Sequence, residues 1–100
     1  MSNTVYELNG TVLTVKPVGE LDSLTAPDFK EELLPHLTGI SEAIIDFEKV
    51  DYISSAGLRV LLFAENYLEN QNANLKIIHV NEYIREVFEL VGFLDVITVE

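Results

Sequence analysis

The chain has 100 residues, 48% of them hydrophobic, and carries six Lys and Arg against 17 Asp and Glu for a formal net charge of −11. That length and apolar content suit one core in one domain spanning 1–100, and the charge has the wrong sign for holding nucleic-acid phosphates or a membrane surface. There is no cysteine, which excludes disulfides and thiolate metal sites.

The start, MSNTVYELNG, has neither the basic nor the apolar region of a secretory signal, so a soluble, cytoplasmic protein is expected. TVYELNGTVLTVKPVGEL then alternates apolar and polar residues around Asn9-Gly10, which predicts two antiparallel strands joined by a tight turn. In LDSLTAPDFKEELLPHL, Thr25 stands three residues before Asp28 like a capping box, and Pro27 suits a first helical turn. A helix over roughly 25–37 would bury Phe29, Leu33 and Leu37. EAIIDF lacks alternation and reads as a central strand covered on both faces. The run VDYISSAGLRVLL leads into a helix of about 55–70, closed by ENQNAN. LKIIHV reads as another buried strand, Asn81 as the cap of a third helix in NEYIREVFELV, and Gly92 as its end before a last edge strand near VITV. The order implies an α/β domain, a mixed sheet with an N-terminal hairpin layered against about three to four helices.

At 100° per residue, Gly57, Leu61, Ala64 and Leu68 share the stripe that must pack on the sheet, and Gly57 permits a close approach to a strand. Ser55, Arg59, Leu62 and Asn66 share the opposite stripe, so Ser55 points outward. Ser54, one residue earlier, takes the position of a helix cap. An exposed serine in the first turn of a helix is a favourable phosphate acceptor, because unpaired N–H groups and the dipole stabilise the added anion. Against this stands the plain reading of both serines as helix-start residues, and of Leu62 and Phe63 as partly buried under a loop.

Catalysis has little support: SSAG lacks the first glycine of a nucleophile elbow, and the two histidines, His36 and His79, stand apart from the serines. The carboxylates are scattered, with the spacing of solvated helix faces, so neither metal nor cofactor is expected. A nucleotide module lacks its glycine-rich motifs and has only Lys49 and Arg59 near the turn.

GELDSLTAP, AIIDFEKVDYISSAGLRVLL and KIIHVNEYIREVFELVGF, in this order after a hairpin, resemble a STAS domain of the anti-sigma factor antagonist family over nearly the whole chain. The resemblance implies a non-enzymatic partner switch. The unphosphorylated protein would bind an anti-sigma factor that is a serine kinase, phosphorylation of Ser55 would release it, and a PP2C-type phosphatase would restore the complex. It places Asp22 near the serine and implies a partner surface of Asp22, Ser23, Ala56, Gly57, Arg59, Leu62 and Phe63. Many members carry aspartate where this chain has Ser54, which leaves Ser54 as a fallback acceptor. The alternatives are a constitutive regulatory or scaffold subunit without a phospho-switch, and the nucleotide module.

Overall fold

The computed structural model describes residues 3–100. In chain order it contains β1 (Val5–Asn9), β2 (Val12–Lys16), β3 (Val18–Leu21), α1 (Ala26–Leu33), β4 (Glu42–Asp46), β5 (Lys49–Ile53), α2 (Ser55–Glu69), β6 (Asn74–Ile78), α3 (Glu82–Leu90) and β7 (Thr98–Val99). Short 3-10 turns follow α1 at Leu34–His36 and α3 at Phe93–Asp95. The main sheet has the order β1-β2-β4-β6-β7, antiparallel only in the first pair. It is the mixed α/β architecture expected.

The hairpin turn lies one residue beyond the anticipated place. Asn9 pairs with Val12, so Gly10 and Thr11 are its central residues. Gly10 takes φ +65, which glycine adopts without a steric cost.

The stretch read as the second strand is two strands. Pro17, buried and without an N–H, ends β2. On the neighbouring strand, the Phe47–Glu48 turn is held by a Glu48 N–H donating to Asp46 Oδ1 at 2.9 Å. Beyond this bend β3 and β5 form their own parallel pair. Its register slips at Gly19/Glu20: Gly19 pairs with Val50 and Glu20 with Tyr52, leaving Asp51 unopposed. The bulge lets both Val50 and Ile53 point inward although three positions apart.

The expectation that β4 is covered on both faces is also corrected. Ala43 and Ile45 are fully buried, whereas Glu42, Ile44 and Asp46 are only partly covered. The same alternation runs through β2 and β6, so one sheet face meets the core and the other is open.

α1 begins at Ala26 and gives way at Leu33 to the 3-10 turn containing Pro35, with Leu37 still buried. Thr25 is not a side-chain cap. Its hydroxyl donates to the Glu20 carbonyl at 2.6 Å and accepts from the Asp22 N–H at 3.0 Å, so upstream backbone has claimed it. Asn81 does cap α3, accepting from the Ile84 N–H at 2.7 Å, and Gly92 leaves that helix at φ +73.

α2 lies inward along Gly57, Leu61, Ala64 and Leu68, as the helical period requires. A Cβ on Gly57 would stand 2.7 Å from both Ile53 Cγ1 and the Leu21 carbonyl oxygen. Gly57→Ala would gain about 1 kcal/mol of helix propensity, but overpacking against a fixed backbone atom costs typically about 1–3 kcal/mol. A net loss is expected, read as a lower urea midpoint at unchanged m-value.

Candidate functional site

The parallel strands β3 and β5 end together, with Leu21 paired to Ile53. Asp22 and Ser54 therefore leave adjacent strand ends, and the Ser54 N–H donates to the Leu21 carbonyl at 2.9 Å. Ends of parallel strands followed by helices are where α/β folds expose functional loops.

Asp22 organises the turn after β3. Its Oδ1 accepts the Leu24 N–H at 2.9 Å and the Thr25 N–H at 3.0 Å, which, led by the Thr25 contact, hold its carboxyl below the usual aspartate range. Ser23 and Leu24 occupy the tip, with Leu24 85% exposed. Sequence reasoning missed Leu24. The one available signal was a large apolar residue inside the turn sequence DSLT.

Ser54 occupies the N-cap with extended backbone, φ −104 and ψ 179, and its carbonyl accepts the Leu58 N–H at 3.0 Å. Its side chain, however, makes no capping bond. Ser54 Oγ is buried without a partner, which corrects the expectation that this hydroxyl caps the helix.

Ser55 is the first residue of α2 and is exposed, as are Arg59, Leu62 and Asn66 on the same stripe. Ala56 is half-buried. Gly57 is buried against Leu21 and Ile53, so its expected place on a partner surface is corrected to a packing contact. Phe63 is half-buried beneath the Lys30 ammonium, 4.2 Å from its ring centroid, and its ring tilts against Tyr67. It joins α1 to α2 more than it presents a free surface.

Neither histidine reaches the serines. His36 bonds the Glu32 carbonyl and stacks on Tyr6 at 4.0 Å, while His79 pairs with Asp46 at 2.9 Å. Lys49 lines a shallow cavity of about 200 Å³ at the Pro17 bend, together with Lys16, Asp46 and Glu48. Among the described residues no cluster of three or more His, Asp or Glu side chains can hold a metal ion. No helix among them is long and apolar enough to cross a membrane.

The STAS domain family matches residues 3–100. The chain belongs to the STAS domain family. A relative in Bordetella bronchiseptica, BtrV, named as an anti-sigma factor antagonist, is 32% identical over 100 residues, covering 99% of this chain and 85% of its own. The crystal structure of an anti-sigma factor antagonist from Mycobacterium paratuberculosis superposes with a TM-score of 0.87 at 21% identity, covering 97% of this chain and 83% of that one. The Bacillus cell fate determinant SpoIIAA in its phosphorylated form gives 0.75 at 17% identity, covering 97% and 90%. This STAS chain thus falls among anti-sigma factor antagonists by sequence and shares their fold.

Two measurements probe the site. Because Ser54 Oγ bonds nothing, Ser54→Ala is expected to be neutral or slightly stabilising, whereas Asn81→Ala should cost about 1 kcal/mol, as a lost cap does; urea unfolding compares them. Asp22, with a folded pKa below its unfolded value of about 3.9, contributes stability that is complete above that value and lost as pH falls through the lower folded pKa. Asp22→Asn keeps an acceptor oxygen but does not ionise, so the gap in thermal midpoint between wild type and variant should narrow from pH 7 to pH 2.

Proposed function

We propose that this STAS domain is an anti-sigma factor antagonist working as a non-enzymatic, phosphorylation-gated partner switch. Unphosphorylated, it binds an anti-sigma factor that is also a serine kinase. Phosphorylation of Ser55 ends that binding, and a PP2C-type phosphatase reverses it. The observation that carries the reading is the exposed hydroxyl of Ser55 in the first turn of a 15-residue helix whose first turn holds no acidic residue.

The physical chemistry is favourable at that position. Unpaired N–H groups and the positive helix end accommodate a phosphate without unfolding α2. Arg59, one turn on and in no ion pair among the described residues, can lean toward it. The phosphate adds about −1.5 to −2 charge to a face fitted to a partner, on a chain already at −11. Around Ser55, the exposed Ser23, Leu24, Arg59 and Leu62 and the half-exposed Asp22 and Ala56 supply the contact surface. Ser54 is the poorer acceptor because its oxygen is covered. SpoIIAA, solved in phosphorylated and unphosphorylated forms on this fold, supports a switch of this kind.

Calorimetric titration with a serine-kinase anti-sigma factor from the same organism tests the switch. Ser55→Ala should bind it with wild-type affinity, and Ser55→Asp at least tenfold more weakly, about 1.4 kcal/mol. Equal affinities would replace the switch by a constitutive subunit. Fragmentation mass spectrometry of the native protein should place any phosphate on Ser55.

A further inference from the structure

α3 presents more apolar surface than its own core requires. Ile84 and Phe88 fill the buried face. Beside them runs a second line at helical spacing: Tyr83, 49% exposed, the half-buried Val87, and Leu90, 88% exposed. The Tyr52 ring of β5 stacks on Tyr83, with centroids 6.1 Å apart, and extends the line at one end. The 3-10 turn packed on α3 extends it at the other, with Leu94 36% exposed. Apolar side chains aligned along one helix face in this way, rather than scattered singly, mark a candidate contact surface.

Glu82, Glu86 and Glu89 form a row parallel to Tyr83, Val87 and Leu90, each one residue earlier. At 100° per residue the apolar line lies between the core face and this acidic row. We propose that this strip of α3 is a second docking surface, and that its occupant is a basic amphipathic helix of another protein, its apolar ridge on Leu90 and Tyr83 and its Lys or Arg side chains on the glutamates. The charge decides among occupants. A second copy would bring two acidic rows together on chains of net charge −11, and an anionic bilayer would be repelled in the same way. A cationic helix meets both, its apolar face on the stripe as amphipathic helices lie on apolar surfaces, and its charges on the row. The surface is carried by α3, whereas Ser55 and its stripe are on α2, so substitutions can test the two separately.

The probe is a fluorescein-labelled 18-residue peptide of leucine and lysine, patterned as a helix with one apolar face, titrated by anisotropy at physiological salt. A scrambled peptide of the same composition serves as control. Micromolar binding of the patterned peptide is expected, with at least tenfold loss for Leu90→Ser, a smaller loss for Glu86→Gln, and less than twofold change for Leu8→Ser, which removes another exposed leucine, on β1. Leu90 is so exposed that its replacement leaves the fold intact, checked by the thermal midpoint. Equal binding of the scrambled peptide, or equal losses for Leu90→Ser and Leu8→Ser, would overturn the proposal as diffuse charge attraction. A dimer of the free chain abolished by Leu90→Ser would overturn it in favour of a second copy. Leu62→Ser, on the α2 stripe, should leave peptide affinity unchanged; a tenfold loss there would place the peptide on α2 and overturn the proposal while leaving the phospho-switch standing.

Discussion

The contact between the start of α2 and the β3–β5 ribbon governs the geometry of the site. Gly57 brings the helix backbone so near to Leu21 and Ile53 that no side chain fits between them. One residue before the helix, the Ser54 N–H bonds the Leu21 carbonyl. Together these contacts fix where the helix begins and which way its first turn faces. Ser55 follows directly, with no loop between it and the strand end, so its hydroxyl inherits the rigidity of the sheet. The Asp22 turn is tied to the same strand ends and needs no separate anchor.

The packing divides the molecule into surfaces of different character. One face of the main sheet carries the helices and the buried core, and the other remains open. Three of the six Lys and Arg are engaged locally: Lys16 pairs with Glu7, Lys76 with Glu100, and Lys30 covers Phe63. Arg59 is left facing solvent beside Ser55. On a chain this acidic, an arginine beside an exposed hydroxyl is a local inversion of the field, and its position one turn from the helix start gives it reach over the first free N–H groups.

Much of the fold was legible in the sequence because it rests on local periodicity. The 3.6-residue period of α2 separates Gly57, Leu61, Ala64 and Leu68 from Ser55, Arg59 and Leu62 without any tertiary information. Asn81 as a cap and Gly92 as a helix end are also local chemistry. What escaped was non-local. Pro17 looks tolerable in a strand until the neighbouring chain bends with it. Ile44 is apolar yet half-covered, and only the placement of every helix on the opposite face explains why. The hydroxyls of Thr25 and Ser54 have the right identity for capping, but one is taken by Glu20 and Asp22 and the other is enclosed without a donor in reach. For the site, the outward serine and its stripe were readable, while Leu24 depends on a turn whose shape Asp22 sets.

The unopposed Asp51 has a meaning for how this domain can vary. Side chains in a strand alternate, so the bulge reverses the phase of everything after it. Without that extra residue, Ile53 would swing to the solvent side, and α2 would start half a pleat out of step with Leu21. An insertion in the Asp22 turn could be absorbed by the turn, but a deletion in β5 would rotate the whole helix away from its seat. The fold therefore absorbs a change of length only on one side of the site, and the direction in which Ser55 faces is set by a residue count in a strand that ends two positions before it.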